Sequence, residues 1–215
     1  MARPIITTAT LQLEKGFAQR FEANVIKELK KKFRRVGPSI AKRTEEAIQS
    51  LVTLRLSSSE VVNSLAGGQL RAEFGLVDGE LRISNIIEIW ANALNVTYFP
   101  MVGKLGSIVI VMDEAFVNDV INMPIASFVT ENGSHLEWLR WLLLEGSAPI
   151  VGEYGFKSAP RGRTGQGIMV KKTGKSWSVP AQFQGVENNN FVTEALEGIE
   201  TEIQGIIRRE FVKGI

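Results

Sequence analysis

The sequence contains no cysteine and a single histidine among its 215 residues. Without cysteine the chain can form neither disulfide bonds nor thiolate metal sites. The lone His135 leaves zinc sites and nucleophilic catalysis almost without the residues that they use. A surface position beside the start of a helix is the favoured interpretation of His135. We therefore predict no catalytic residue, no metal site and no cofactor.

Long apolar runs are also missing. The longest strand-like run, residues 108–112, is far shorter than the roughly 20 residues that cross a bilayer. The first residues of the sequence lack the apolar centre of a signal peptide. We therefore expect a soluble protein that is made in the cytoplasm and has no membrane partner. The net charge is only +2, so any contact with nucleic acid must come from local basic segments.

Apolar residues at helical spacing predict a long amphipathic helix at each end of the chain. Residues 11–36 form the first, with an apolar stripe at every fourth position: Phe17, Phe21, Val25, Leu29 and Phe33. Its basic end suits the negative pole of a helix dipole, and Gly37 with Pro38 is predicted to stop it. The last helix is predicted over residues 191–212, with Asn190 as its N-cap.

Shorter elements fill the middle of the chain. Capping-box patterns at Ser57–Glu60 and Ser134–Glu137 predict helices that begin there. Strands are predicted over residues 96–101, 107–113, 150–156, 168–172 and 177–179. Because these strands do not alternate regularly with helices, we predict an α+β fold with a small, mainly antiparallel sheet. Residues 1–36 would form a helical arm, and residues 37–215 an α+β domain with a flexible basic loop or hairpin at 157–176.

One short motif suggests a nucleotide site, and its surroundings argue against it. Gly174-Lys175-Ser176 matches the end of a phosphate-binding loop, but Met169 stands where that loop needs a glycine. A strand-like segment that leads to Pro180 follows it, where the loop needs the first turns of a helix. We therefore predict that residues 171–175 form the tip of a β-hairpin. The acidic pair at 113–114 is interpreted as a solvated turn rather than a metal site.

The segment from Lys157 to Lys175 is basic and contains no acidic residue. Its glycine-rich part, residues 158–167, is too free for regular structure. Such a loop can contact phosphate backbones, become ordered on a partner, or remain solvated without a role. The candidate contacts with DNA or a partner are Lys157, Arg161, Arg163, Lys171, Lys172 and Lys175.

Aromatic residues in the second half of the chain allow two interpretations. Trp138 and Trp141 lie three apart in a segment that is apolar nearly all round, which is typical of a buried core helix. Tryptophan is also enriched among the anchors of subunit interfaces. The core interpretation is favoured, and the candidate interface residues are Trp138, Trp141, Trp177 and Phe191.

The order of several short motifs resembles a known family. These motifs are residues 138–146, the glycine- and arginine-rich residues 161–169, Trp177-Ser178-Val179-Pro180, Phe183-Gln184-Gly185, and residues 189–196. Their order is similar to that in the neck and tail-completion (head–tail connector) proteins of long-tailed bacteriophages. Residues 57–76 resemble the front part of such proteins, so the resemblance covers roughly residues 57–210. Thr164 stands where the family pattern has a serine.

The resemblance implies a structural role in the virion. Family members form rings around the DNA ejection channel, between the portal or its adaptor and the tail. It implies a non-enzymatic, homo-oligomeric ring of six or twelve copies that is assembled in the host cytoplasm and contacts the tail terminator or the tail tube and sheath proteins. Non-specific contact with packaged DNA would fit the basic segments. The alternative is a cytoplasmic DNA-binding accessory protein that uses residues 27–35 and 157–175.

Overall fold

The computed structural model describes residues 16–112, 119–129, 135–159 and 167–214. The predicted α+β fold is confirmed, with long helices at both ends and small antiparallel sheets between them. The helices are α1 (Phe17–Ser57), α2 (Glu60–Gly67), α3 (Gln69–Phe74), α4 (Gly79–Asn92), α5 (Trp138–Leu143), α6 (Phe191–Ala195) and α7 (Glu200–Gly214). The strands are β1 (Leu94–Val102), β2 (Leu105–Met112), β3 (Phe128–Val129), β4 (His135–Leu136), β5 (Val151–Ser158) and β6 (Gly167–Trp177).

The first helix does not end at Gly37 and Pro38 as predicted. It continues as one helix to Ser57, with Pro38 inside it. What changes at this point is burial, because residues 17–36 are largely exposed, whereas Gly37 and Ile40 begin the buried face. Proline removes one backbone donor from a helix. The apolar face that starts at Ile40 is buried in the core, and this packing outweighs that loss.

The hairpin of β1 and β2 lies along α1. The backbone N–H of Val96 donates to the Glu45 carboxylate at 2.8 Å, and the Gln49 amide donates to the carbonyl of Leu94 at 3.3 Å. Near the hairpin turn, Lys104 forms an ion pair with Glu22. With these contacts β1 runs antiparallel to α1, and the hairpin turn lies beside the arm formed by residues 17–36.

The last helix packs antiparallel to the second half of α1, and it is shorter than predicted. Arg55 pairs with Glu202, and Arg43 Nε lies 3.2 Å from Glu210 Oε2. The predicted continuous helix over 191–212 is wrong, because α6 ends at Ala195 and Gly198 adopts a φ of 70°. The predicted N-cap at Asn190 is confirmed: its side chain accepts from the backbone N–H groups of Val192 and Thr193.

Two predicted helix starts are also wrong. Ser57 is the last residue of α1, and α2 begins at Glu60 behind Ser59, which makes no side-chain cap. His135 and Leu136 lie in β4, paired with β3, so the next helix begins only at Trp138. Serine followed three residues later by glutamate fits both segments locally, but the pairing of β3 with β4 and the continuation of α1 take precedence.

Buried side chains from most helices form a single core. It joins the second half of α1 to α2, α4, α5 and the residues around β6 and α6. Its largest fully buried members are Trp90, Trp138, Ile40, Ile48, Leu56, Leu65, Leu70, Leu76, Ile83, Ile86, Leu139 and Leu142. The arm and both long hairpins lie at the edge of this core, where surfaces remain available to partners.

Candidate functional site

The arm, residues 17–36 of α1, presents three different faces. One face, which includes Ile26, Phe33 and Gly37, is partly or fully buried. A Cβ added to Gly37 would lie 2.4 Å from the ring of Tyr98 in β1, so the helix and the hairpin are in direct contact here. The other two faces are exposed, and the chemistry of each is distinct.

The second face is an exposed apolar stripe formed by Phe17, Phe21, Val25 and Leu29. These side chains are 43%, 61%, 40% and 37% exposed, and the rings of Phe17 and Phe21 stack at 6.1 Å. The turn of the first hairpin adds Val102 and Leu105, which are 83% and 81% exposed, next to the Lys104–Glu22 ion pair. Apolar surface that is gathered in this way marks an interaction site more often than scattered exposed residues do.

The third face is basic. Residues 27–35 contain one acid, Glu28, and six basic residues: Lys27, Lys30, Lys31, Lys32, Arg34 and Arg35. Lys27, Lys31 and Arg35 are exposed and spaced by four, so they lie one above another on the helix. None of the six makes an ion pair with the part of the chain that the structure describes. They lie in the middle of α1, so the predicted stabilisation by the helix dipole does not apply.

The predicted basic loop corresponds to the hairpin of β5 and β6. Lys157 is exposed on β5, and Lys171 is exposed on β6, with its Nζ 3.8 Å from Glu153 Oε2. Lys172 and Lys175 belong to β6, and the predicted Arg161 and Arg163 lie outside the described residues. The hairpin therefore brings the backbone of four of the six predicted residues to one antiparallel pair of strands.

The prediction that residues 171–175 form the tip of a β-hairpin is wrong, because these residues lie within β6. Ser158 pairs with Gly167 near the turn, and Val151 pairs with Trp177 at the base. The register jumps between the pairs Gly152–Ser176 and Tyr154–Lys171. Residues 172–175 therefore stand opposite Glu153 alone, as an enlarged bulge. Lys-Thr-Gly-Lys reads locally as a turn, and Gly174 has the positive φ of one, 76°.

The four aromatic residues proposed as interface anchors lie in or against the core. Trp138 is fully buried, Trp177 is 9% exposed and Phe191 is 4% exposed, while Trp141 is partly buried against the core. The ring of Trp177 meets Phe74 edge to face at 5.4 Å. Trp138 and Trp141 thus pack in the core, which is the interpretation that their spacing favoured. Trp177 and Phe191, for which no spacing argument was made, are also buried core residues. The predicted separate strand at 177–179 is not formed, because Trp177 is the last residue of β6.

A buried carboxylate joins α3 to the base of the second hairpin. Glu73 is 7% exposed, and its two oxygens accept from Gln69 at 2.6 Å and from the Trp177 indole at 3.1 Å. Burial raises the pKa of Glu73 above its ordinary value, while the two hydrogen bonds act in the opposite direction. No motif identified this residue, and in sequence Glu73 looks like any exposed helical glutamate.

His135 borders a cleft of about 490 Å³ that also contains Ser127 and Arg82. The His135 Nε2 lies 3.2 Å from the Ser127 Oγ, yet no carboxylate bonds to His135 among the described residues. Arg82 donates to Asp78 at 2.8 Å, which lowers the pKa of Asp78, and to the carbonyl of Ser127 at 2.8 Å. The arginine thus connects α4 to the segment around Ser127. Among the described residues, no carboxylate completes the Ser–His pair as a catalytic triad.

The described residues contain neither a cluster of metal-ligating side chains nor a helix that could span a membrane. Across 16–112, 119–129, 135–159 and 167–214, no three histidine, aspartate or glutamate side chains cluster as metal ligands. Within the same ranges no helix is long and apolar enough to cross a membrane. The acidic pair at 113–114 lies outside the described residues.

An acidic surface was missed in the sequence. Between Lys175 and Arg208 there is no lysine or arginine, while residues 187–202 carry five glutamates. All five are exposed, on or beside α6 and the start of α7: Glu187, Glu194, Glu197, Glu200 and Glu202. Only Glu202 has an ion-pair partner, Arg55, in the part of the chain that the structure describes. The absence of lysine and arginine between Lys175 and Arg208 is the sequence feature that could have indicated this acidic surface.

Comparison with known proteins identifies no relative. The chain matches no protein-family model, no curated protein and no solved structure.

Proposed function

We propose that this chain is a structural, non-enzymatic protein of the neck of a long-tailed bacteriophage. It forms a homo-oligomeric ring of six or twelve copies that joins the portal or its adaptor to the tail and surrounds the DNA channel. The proposal takes its family from the order of motifs between residues 57 and 210. The observation that carries it is the exposed apolar stripe on the arm.

The stripe favours assembly because the monomer leaves it uncovered. Phe17 and Phe21 are large aromatic side chains, and the 61% exposure of Phe21 stands beside a hairpin turn that is itself apolar and exposed. Burying such side chains contributes about 25 cal/mol for each Å² of apolar surface removed from water. A ring subunit must present a surface of this kind to its neighbours.

The charge distribution fits a subunit that meets both protein and DNA. The net charge is only +2, yet residues 27–35 and 157–175 carry six basic residues each, and residues 187–202 carry five glutamates and no lysine or arginine. A basic face in a ring can contact phosphate groups without reading sequence. Neck assembly and DNA passage need both kinds of surface.

The proposal is tested by locating the protein in virions and measuring its copy number. Phage particles that contain this chain should show it between head and tail, in a number that is a multiple of six. Native mass measurement of the purified protein provides the second readout. A protein that is absent from particles and monomeric in solution contradicts the proposed function.

The second candidate function is that of a DNA-binding accessory protein. It is favoured by the six basic residues of 27–35, which make no ion pair with the described residues. It predicts binding to duplex DNA whose affinity falls linearly on a logarithmic scale with salt concentration. No binding at low salt removes this candidate.

A further inference from the structure

We propose that the arm of one copy binds the acidic surface of the next copy, head to tail. The arm contributes the apolar stripe and the basic face of residues 27–35, and the acidic surface is formed by residues 187–202. This inference rests on the proposed function, because it names the interface that builds the ring. It follows from the distance at which α1 holds the two surfaces from each other.

The two surfaces lie far apart along the direction of α1. The basic face is centred near Lys31, and the acidic surface is attached at Arg55, which pairs with Glu202. At about 1.5 Å for each helical residue, these two positions are separated by about 36 Å along α1. Because α1 runs unbroken through both positions, a chain cannot fold its own arm onto its own acidic surface.

Charge makes a second copy the matching partner. The basic face has six cations without ion pairs to the described residues, and the acidic surface has four glutamates in the same condition. Opposite charges on two surfaces steer association and fix its orientation. The same charges oppose arm-to-arm and acid-to-acid contacts, so a head-to-tail contact is favoured over a symmetric dimer.

Both surfaces also carry exposed apolar side chains. On the arm these are the stripe residues, and beside the acidic surface they are Leu54, 63% exposed, and Val186, 50% exposed. Leu54 precedes the Arg55 that holds Glu202, and Val186 precedes Glu187. A DNA backbone offers no apolar surface to Phe21 or Val25. A protein partner can therefore cover both the apolar stripe and the basic face of the arm, whereas DNA would contact only the basic face.

The proposed contact is head to tail, so it uses a different surface on each partner. In an open assembly the two end copies therefore each keep one unused surface until the assembly closes. If the rotation between neighbours closes, the result is a ring, and otherwise it is a filament. The proposed neck function needs closure, but the contact itself needs only complementary ends.

Charge reversal on the two surfaces tests this contact. The arm variant carries Lys31→Glu with Arg35→Glu, and the acidic-end variant carries Glu194→Lys with Glu197→Lys. All four positions are on the protein surface, and the two variants change the net charge by equal and opposite amounts. Sedimentation velocity at low salt measures association. Each variant alone should associate at least about tenfold more weakly than the wild type, because like charges then face each other.

Mixing the two variants provides the control for folding. A reversed arm is complementary to a reversed acidic end, so the equimolar mixture should regain the oligomer that neither variant forms alone. Misfolded variants could not do this. The double variant Glu80→Lys with Glu88→Lys, at exposed positions of α4, changes the net charge by the same amount as the acidic-end variant. It should associate as the wild type does.

Four results overturn the proposal. One is wild-type protein that stays monomeric up to about 1 mM. Another is unchanged association in either variant, or a mixture that fails to recover. The last is an arm variant that loses duplex-DNA binding while its self-association is unchanged. Virion location separates this inference from the proposed function: a ring built through other surfaces contradicts only the inference, and absence from particles contradicts only the function.

Discussion

The indole of Trp177 donates a 3.1 Å hydrogen bond to the Glu73 carboxylate, across 104 residues of sequence. This bond ties the last residue of β6 to α3. It lies in the core, where Trp177 also packs against Phe74. The second hairpin is therefore fixed at its base by a buried acid, although its strands extend away to an exposed basic region.

Glu73 makes the stability of the protein depend on pH. Burial raises its pKa above the ordinary value of 4.5, so the folded chain binds this proton more tightly than the unfolded chain does. The contribution of Glu73 to stability is complete below 4.5 and is lost as pH rises through the folded pKa. Glu73→Gln keeps an acceptor for Trp177 and removes the charge. Urea unfolding of Glu73→Gln between pH 4.5 and 7 should therefore show a free energy of unfolding that lacks the pH dependence contributed by Glu73 in the wild type.

Two further variants sharpen this prediction. Glu80→Gln, at an exposed position of α4, should keep the wild-type dependence on pH. Trp177→Phe leaves Glu73 without its indole donor and should lower stability at pH 7 by about 1–3 kcal/mol. The loss should be smaller in acid, where the carboxyl is neutral. A Glu73→Gln variant that follows the wild-type pH curve would show that Glu73 does not cause it.

Gly37 should not tolerate a methyl group, although it lies inside a helix. Alanine usually stabilises a helix relative to glycine by about 1 kcal/mol. At position 37 the new Cβ would lie 2.4 Å from the Tyr98 ring, so Gly37→Ala should instead cost about 1–3 kcal/mol. Gly205→Ala in α7, where nothing lies within 4 Å, is the matched control and should stabilise. Denaturant unfolding of both variants decides whether this contact is close in solution.

The same contact explains why the helix end at Gly37–Pro38 was predicted wrongly. Glycine followed by proline usually marks a helix end. Here glycine provides space for Tyr98, which belongs to a strand about 60 residues later and is invisible to local patterns. Local spacing is sufficient where a helix packs by its own periodicity: Ile83, Ile86 and Trp90 recur at helical spacing and form part of the buried face of α4.

The C-terminal part shows the opposite error. Apolar spacing continues from Val192 to Ile206, so the sequence predicts one helix, but Gly198 turns the chain between α6 and α7.

The candidate site was predictable only in part for a related reason. The basic residues of 27–35 are obvious in the sequence. Their relation to the glutamates of 187–202 depends on the unbroken length of α1, which the predicted stop concealed.

Substitution of Asn190, a buried polar residue at the start of α6, should strongly lower the stability of the protein. Its Oδ1 caps two backbone N–H groups, while its Nδ2 donates to the carbonyls of Leu143, Val186 and Glu187. It is 6% exposed, so the groups left by Asn190→Ala would be unsatisfied, and the loss should be about 2–3 kcal/mol. Asn190→Ser keeps an oxygen for the cap and should recover part of this, as thermal unfolding would show. Equal losses in both variants would assign the whole effect to the donated bonds.

The apolar stripe should matter for association and not for the fold of the monomer. Phe21 and Val25 are 61% and 40% exposed, so replacing both with glutamine should change monomer stability by no more than about 0.5 kcal/mol. Self-association should weaken by at least about tenfold, because the apolar part of the contact is removed. Leu81→Gln, at a site that is 62% exposed on α4, is the matched control and should leave association unchanged.

Salt distinguishes the apolar part of this contact from the charged part. Raising the ionic strength from about 0.1 to 1 M shortens the Debye length from about 10 to 3 Å and screens exposed charges. Wild-type association should weaken as the charges are screened, and a residual affinity should persist through the stripe. In the Phe21→Gln, Val25→Gln variant that residual should disappear at high salt. If it persists instead, the apolar contact lies elsewhere on the chain, and the stripe is exposed for another partner.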